Sequence, residues 1–225
     1  MAIRGTCAGG EGRDAGGVRR IVEPEILDDL PTDDPEARAS RADLRRINFL
    51  MGNERWILRR VRSMPRLARE GIVEWGAGSG DLLEKLASLG PATGVDRVER
   101  PAGLPGEIGW RRGDVLEEDS GGGVLVANLF LHHFEGADLR RLGGRASRFT
   151  AMVVVEPWRS RLALALGGAM HPFVGRVTRH DLPVSIRAGF RRGELAEALG
   201  LDRGRWRISE RIDPRGGLRW MAVRG

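Results

Sequence analysis

The sequence predicts an α/β protein. Its sheet is mostly parallel, with helices on both faces, one antiparallel strand and a C-terminal β-hairpin. Three observations predict this. Residues 71–86 read as strand, glycine turn and helix in immediate succession. Short apolar runs then alternate with helical stretches as far as residue 199, the pattern of a parallel sheet with crossover connections. Finally, two alternating runs flank Asp213-Pro214-Arg215-Gly216-Gly217, which is a turn between hairpin strands.

Taken in order, residues 1–33 are rich in glycine and charge. Little can pack there beyond Ile21, Val22, Ile26 and Leu27, and the segment reads as a mobile N-terminal tail. Residues 34–70 read as a helical cap. Asp33-Asp34-Pro35 is a helix start, with an Asp cap and proline at the first helical position. Leu44, Ile47 and Leu50 follow at three-residue spacing and Gly52 ends the pattern. Asn53 is placed to cap a second helix carrying Trp56, Ile57 and Val61, which stops near Pro65. Residues 71–225 form the α/β domain.

In the central unit, Ile72 to Trp75 is an apolar run broken by Glu74. Gly76, Gly78 and Gly80 make a turn that lets backbone approach a ligand with no Cβ in the way. Leu82, Leu83, Leu86 and Leu89 recur at helical spacing and Gly90 is a stop signal. A dinucleotide fingerprint requires G-x-G-x-x-G, and here the third glycine comes one residue early. That spacing argues against a nicotinamide-dependent reductase.

The second strand, Ala92-Thr93-Gly94-Val95-Asp96, ends in an acid about 20 residues past the first glycine, where a Rossmann-type fold puts the carboxylate that takes ribose hydroxyls. Two adjacent hydroxyls donate to two carboxylate oxygens, and the charge strengthens both bonds. Residues 108–115 read as a third strand ending in Gly113-Asp114-Val115. Gly121 to Gly123 form a loop, and the apolar run from Val124 is a strand buried on both faces. Asn128 and Leu129 stand where this strand reaches its carboxyl edge, the ligand crevice of open α/β sheets. Met152 to Val155 form a fifth strand, ending in Glu156-Pro157. Residues 158–189 are irregular, with arginines and histidines scattered among leucines. A helix over residues 192–199 stops at Gly200, and the hairpin closes the chain.

Composition narrows the partners. The formal net charge is +6, but lysine occurs once, at Lys85, and tyrosine not at all. The arginines are interspersed with acids, which marks a solvated surface rather than a nucleic-acid patch. Cys7 is the single cysteine, so no intramolecular disulfide or cysteine-based metal site can form. The N-terminus shows no secretory signal and no apolar run approaches the length of a membrane span, which fits a cytoplasmic protein. No Asn-Pro-Pro-Tyr or Asp-Pro-Pro-Tyr run supports DNA adenine methylation. Cys7, in the tail, excludes a cysteine nucleophile acting on a pyrimidine.

An acid two residues before Gly76-Ala77-Gly78-Ser79-Gly80 resembles motif I of the class I S-adenosylmethionine (SAM)-dependent methyltransferases. The run Asn128-Leu129-Phe130-Leu131-His132-His133-Phe134 resembles the segment after the fourth strand of their small-molecule members, bacterial ubiquinone/menaquinone and natural-product enzymes among them. The resemblance covers roughly residues 35–225. It implies the seven-stranded Rossmann-like fold with SAM as cofactor and a small-molecule acceptor. It implies that the turn of Gly76, Gly78 and Gly80 lies against the methionine and ribose parts of SAM, and that Glu74 holds the ammonium end. Asp96 would take the ribose, Asp114 the adenine amino group, and the Val115 amide the ring, with Asn128 and Leu129 completing the cofactor side. The leading helices would close one side of the pocket, or else merely cover a sheet edge, and residues 158–189 would form a lid.

Methyl transfer from a sulfonium needs position, a dry cleft and, for a hydroxyl acceptor, a base; no metal is required. His132, His133 and His180 are the candidate bases, since imidazole titrates near neutral pH. Adjacent residues rarely both face a site, so one of His132 and His133 is expected to act. Glu156 can contact substrate or occupy a helix N-terminus. The leading expectation is transfer to an aromatic or phenolic hydroxyl. The alternatives are N- or C-methylation, or a SAM- or nucleoside-binding module without transfer.

Overall fold

The structure is a computed structural model that describes residues 17–31 and 33–225. A short helix α1 (Ile26–Asp29) precedes α2 (Pro35–Met51), α3 (Asn53–Arg62) and α4 (Pro65–Glu70). Then come β1 (Ile72–Trp75), α5 (Asp81–Ala87), β2 (Ala92–Asp96), β3 (Gly109–Arg112) and β4 (Gly122–Asn128). A 3-10 turn, Leu131–His133, leads into α6 (Gly136–Ala146) and β5 (Phe149–Pro157). After α7 (Arg161–Met170), α8 (Arg176–Ala188) and α9 (Glu194–Ala198), the chain ends in β6 (Trp206–Ile212) and β7 (Gly217–Arg224).

The seven strands form one sheet in the order β3-β2-β1-β4-β5-β7-β6. β7 runs antiparallel to both β5 and β6, and the other pairings are parallel, as the sequence predicts. The strand order reverses between β1 and β4. Trp75 pairs with Ala127 there, so the glycine turn and the Asn128 end emerge side by side at the switch point, where open α/β sheets bind ligands.

Alternation along the strands feeds two cores. Val73, Trp75, Leu125, Ala127, Met152 and Val154 pack under α6 and α9. Ile72, Val124, Val126, Val153 and Val155 pack under α3 and α5, whose Ile57, Val61, Leu83 and Leu86 are fully buried.

Several expectations change. α2 starts as predicted, with Asp34 accepting from the backbone N–H of Glu36 and Ala37 at 2.7 and 3.2 Å. Its buried side, however, is Ala37, Ser40, Asp43 and Ile47, while Leu50 is exposed. Asn53 does not cap α3: Gly52 takes that position in a left-handed conformation, and the Asn53 amide turns back to donate to Asn48 Oδ1. α3 lies in the sheet's own core, and only α2 stands outside it, against α8. Residues 158–189 are mostly α7 and α8, with Pro183 inside α8.

Residues 1–16 of the expected N-terminal tail, with Cys7, lie outside the described residues. From Val18 onward the segment is pinned by long-range bonds. Arg20 Nε donates to Ala188 O at 2.8 Å and its Nη2 to Phe134 O at 2.7 Å, while Arg159 and Arg191 donate to Val18 O at 2.8 Å each. Composition hid this because the bonding partners lie more than a hundred residues away.

Candidate functional site

The carboxyl ends of β1 and β4 meet at the switch point, flanked by those of β2 and β5. Gly76, Gly78 and Gly80 all have positive φ, at 69°, 52° and 79°, a region that glycine enters at no steric cost. A Cβ on Gly78 would meet nothing within 4 Å, so the turn faces open space there. A Cβ on Gly76 would stand 2.2 Å from Phe130 Cδ2, so the Phe130 ring lies on the turn.

Glu74 is 3% exposed and its Oε2 has no hydrogen-bond partner. Burial, then the carboxylates of Glu54, Asp96 and Asp81, hold its pKa well above the usual carboxylate range. A buried acceptor without a donor is costly, so such a group calls for an explanation. Asn128 Oδ1 at the end of β4 is also buried without a partner.

Asp96 Oδ2 accepts from Gly78 N at 2.7 Å and Oδ1 from Val98 N at 3.1 Å. Each oxygen keeps a second lone pair. Asp114 Oδ1 accepts from Leu116 N at 2.9 Å, and Oδ2 pairs with Arg97 at 2.5 Å. Burial opposes its ionisation, but the Leu116 amide and Arg97 outweigh it and lower its pKa. The Val115 side chain is buried in the core. Leu129 has φ 54°, the one non-glycine residue with positive φ among the described residues, and donates its N–H to Val155 O at 2.7 Å. Backbone strain of this kind gathers where a chain is held for function.

Next along the chain, Glu156 builds the turn after β4. Its carboxylate is fully buried. Oε1 accepts from Phe130 N at 3.1 Å and Leu131 N at 2.7 Å, and Oε2 accepts from His132 N at 3.2 Å and lies 2.8 Å from His132 Nδ1. On the ring's other side, His132 Nε2 lies 3.5 Å from Glu25 Oε1. Burial works against the imidazolium, but Glu156 and Glu25 outweigh it and push the His132 pKa up to about 9. His133 behaves oppositely: burial and the neighbouring His132 charge push it down to about 4. The two rings lie 4.2 Å apart. Partial burial, then Glu25 and Asp181, raise Asp28 to about 6.

Thus His132 and His133 are brought together after β4 with their pKa values pushed in opposite directions. His180 is joined to them by no described hydrogen bond or ring contact. Its half-exposed ring pairs with Asp181 Oδ1 at 2.9 Å, and the Asp181 carboxylate caps α1 by accepting from Ile26 N and Leu27 N. Arg159, one of the arginines of the 158–189 segment, is buried and donates to Gly189 O and Glu194. Glu25 and Phe130 escaped sequence reasoning as site residues. Glu25 sits in a stretch that looked like tail, and Phe130 sits in a run that looked like core.

Glu25, His132 and His133 each offer one potential metal-ligand atom, all within 4.8 Å of one another.

The topology is that of the seven-stranded Rossmann-like α/β fold, and solved methyltransferases share it. No protein-family model matches the chain, and no curated protein matches it in sequence. In structure, the plantazolicin methyltransferase BpumL, solved with a monoazolic desmethylPZN analog and SAH, superposes with TM-score 0.65 at 12% identity, over 85% of this chain and 91% of that one. Human N-acetylserotonin methyltransferase in complex with SAM gives 0.54 at 14% identity, over 88% and 61%. The N-methyltransferase NodS from Bradyrhizobium japonicum WM9 gives 0.51 at 13%, over 86% and 99%. At such identities the likeness is one of fold.

Proposed function

We propose that the protein is a SAM-dependent methyltransferase acting on a small-molecule acceptor, an aromatic or phenolic hydroxyl. The observation that carries this reading is Glu74: a buried carboxylate lacking a donor at the head of a left-handed glycine turn that opens to space at Gly78. SAM, when bound, supplies a methyl group on a positively charged sulfur. Glu74 would accept from its ammonium group, Asp96 from the ribose hydroxyls, and Asp114 from the adenine amino group beside the Val115 amide. Asn128 and Leu129 would line the same crevice. Phe130, lying on Gly76, would help exclude water.

His132 keeps its proton and stays fixed between Glu156 and Glu25, so it orients the turn. His133 is the neutral imidazole and accepts the proton that the acceptor hydroxyl loses as its oxygen takes the methyl. His180, paired with Asp181 towards solvent, is given no part in proton transfer.

The test is isothermal titration of the protein with SAM, S-adenosylhomocysteine and NAD, beside an Asp96→Ala variant. The reading expects micromolar binding of SAM and its product, weakened at least tenfold (~1.4 kcal/mol) without Asp96. No heat with SAM, or heat with NAD instead, overturns it. SAM binding with no turnover on any hydroxylated acceptor would favour the binding-module alternative.

A further inference from the structure

Helix α7, with sequence RLALALGGAM, carries one charge, Arg161, yet only Ala163 and Gly167 are buried. A helix this apolar on all sides belongs in an interior or against a partner. Leu162, Leu166 and Met170 are spaced i, i+4, i+8 and make a row along it. Leu162 and Leu166 are 53% and 39% exposed, and the row leads to Phe173 at 75%. Across a groove of about 340 Å³, lined by Ile47, Leu50, Met170 and Phe173, lies the last turn of α2. There Phe49 is 73% and Leu50 59% exposed. Of the six large apolar side chains exposed among the described residues, Leu50 and Phe173 line this groove, and Leu162 and Leu166 stand on the α7 row that leads to it. Contiguous exposed apolar surface of this kind marks an interaction site.

The charges around the face select the partner. Arg46 and Arg215 have side chains 75% and 59% exposed, although each also meets an acid, Asp43 at 3.3 Å and Asp213 at 3.8 Å, and Arg161 is exposed at the head of α7. Arg215 is anchored to the patch itself, donating to Leu50 O and Met51 O at 3.1 Å each. The acids alongside are engaged: Asp43 is buried and accepts from Gly175 N and the Thr178 hydroxyl, and Glu36 is clamped by Arg176. An apolar plateau with arginines at its rim and its acids tied up is complementary to an anionic bilayer, where side chains enter the acyl boundary and guanidinium groups meet phosphates. A second copy docked face to face would bring the arginine rims together. We propose that the outer face of α7, the Phe173 turn and the end of α2 form a peripheral docking surface for anionic lipid membranes. No described helix is long and apolar enough to cross a membrane, so the contact is interfacial. The inference does not depend on the cofactor reading.

The test is co-sedimentation of the full chain with vesicles of phosphatidylcholine alone and of equimolar phosphatidylcholine and phosphatidylglycerol. It compares wild type with Leu166→Asp/Phe173→Asp and with Arg46→Glu/Arg161→Glu. Analytical ultracentrifugation without lipid and thermal melting run in parallel. The expected result is binding to the phosphatidylglycerol vesicles at least tenfold tighter than to phosphatidylcholine, weakened by salt. Both variants should lose at least tenfold while melting as wild type does. The apolar substitutions are at exposed positions, and the arginine pair tests the same surface without touching them. Wild type that ignores both vesicles, variants that bind as wild type does, or a lipid-free dimer that Leu166→Asp/Phe173→Asp dissociates would each overturn the proposal. The last result would assign the face to a second copy.

Discussion

Glu156 Oε2 lies 2.8 Å from His132 Nδ1, and the same carboxylate accepts from the backbone N–H of Phe130, Leu131 and His132. One buried side chain from β5 therefore shapes the turn that follows β4 and holds an imidazolium in place. Removing one partner of a buried ion pair strands the other, so Glu156→Gln should destabilise the protein by about 3–5 kcal/mol in urea unfolding. The pH dependence has a definite sign. His132 is raised from 6.5 to about 9. Its stabilising contribution is complete below 6.5 and is lost as pH rises through about 9. Wild-type stability should fall across that window, and Glu156→Gln should fall less steeply because only Glu25 then faces the ring. A variant with an unchanged slope would show that the pair adds nothing to folding.

Glu74 has the opposite character, because it destabilises the ligand-free protein. Its folded pKa is raised by burial, so folding is favoured below the ordinary carboxylate range and weakened as pH climbs towards the folded value. Glu74→Gln removes that penalty. Differential scanning fluorimetry should give a higher Tm for the variant without cofactor, with the gap widening from pH ~4.5 upward. The same variant should bind SAM at least tenfold more weakly (~1.4 kcal/mol), since the ammonium loses its counter-charge. A lower Tm together with unchanged SAM binding would remove Glu74 from the site.

Gly76 and Gly78 differ in what lies over them, and alanine separates the two effects. Both have positive φ, so each alanine costs about 1–2 kcal/mol in backbone strain. At Gly78 nothing else is met, so Gly78→Ala should cost only that much stability while its methyl group intrudes where ligand would lie. At Gly76 the methyl group collides with Phe130, adding about 1–3 kcal/mol for overpacking. Phe130→Ala in the Gly76→Ala background should recover that second part alone. Chemical denaturation of the four proteins checks it, and an additive double variant would mean that the ring is not against the turn.

The strands and the glycine turn were legible because they rest on local signals. Apolar runs mark β1, β4 and β5, and Asp34-Pro35 marks the start of α2. Asp96 is singled out by its spacing to the turn, and Glu74 by the resemblance of the turn to motif I. The carboxylate pair on His132 was not legible. Glu25 reaches it from 107 residues away, out of a stretch whose composition suits a tail, and Glu156 from 24 away at a strand end. α8 was hidden by Pro183, which reads as a break but stands inside a helix whose Val177, Val184 and Ile186 are held by burial. Leu50 fits the three-residue spacing of α2's apolar residues yet is exposed, because periodicity shows that a helix has an apolar side without showing what covers it.

The two adjacent histidines make the pH profile of methyl transfer decisive. A general base works in its deprotonated form, so kcat/KM falls as pH drops through the pKa of that base in the free enzyme. His133 is lowered to about 4 by burial and by the charge on His132, whereas His132 is raised to about 9. If His133 takes the proton, activity should be flat from neutral pH down to the acid limit of stability and bend near 4. If His132 does, activity should still be climbing at pH ~8. His133→Ala should cut kcat by about 10²–10⁴-fold with SAM affinity and Tm little changed. His132→Ala should act through folding instead, lowering Tm because it leaves Glu156 and Glu25 facing each other without a cation between them. Turnover that survives His133→Ala, with a profile still rising at alkaline pH, would move the base to His132 and leave His133 as a packing partner.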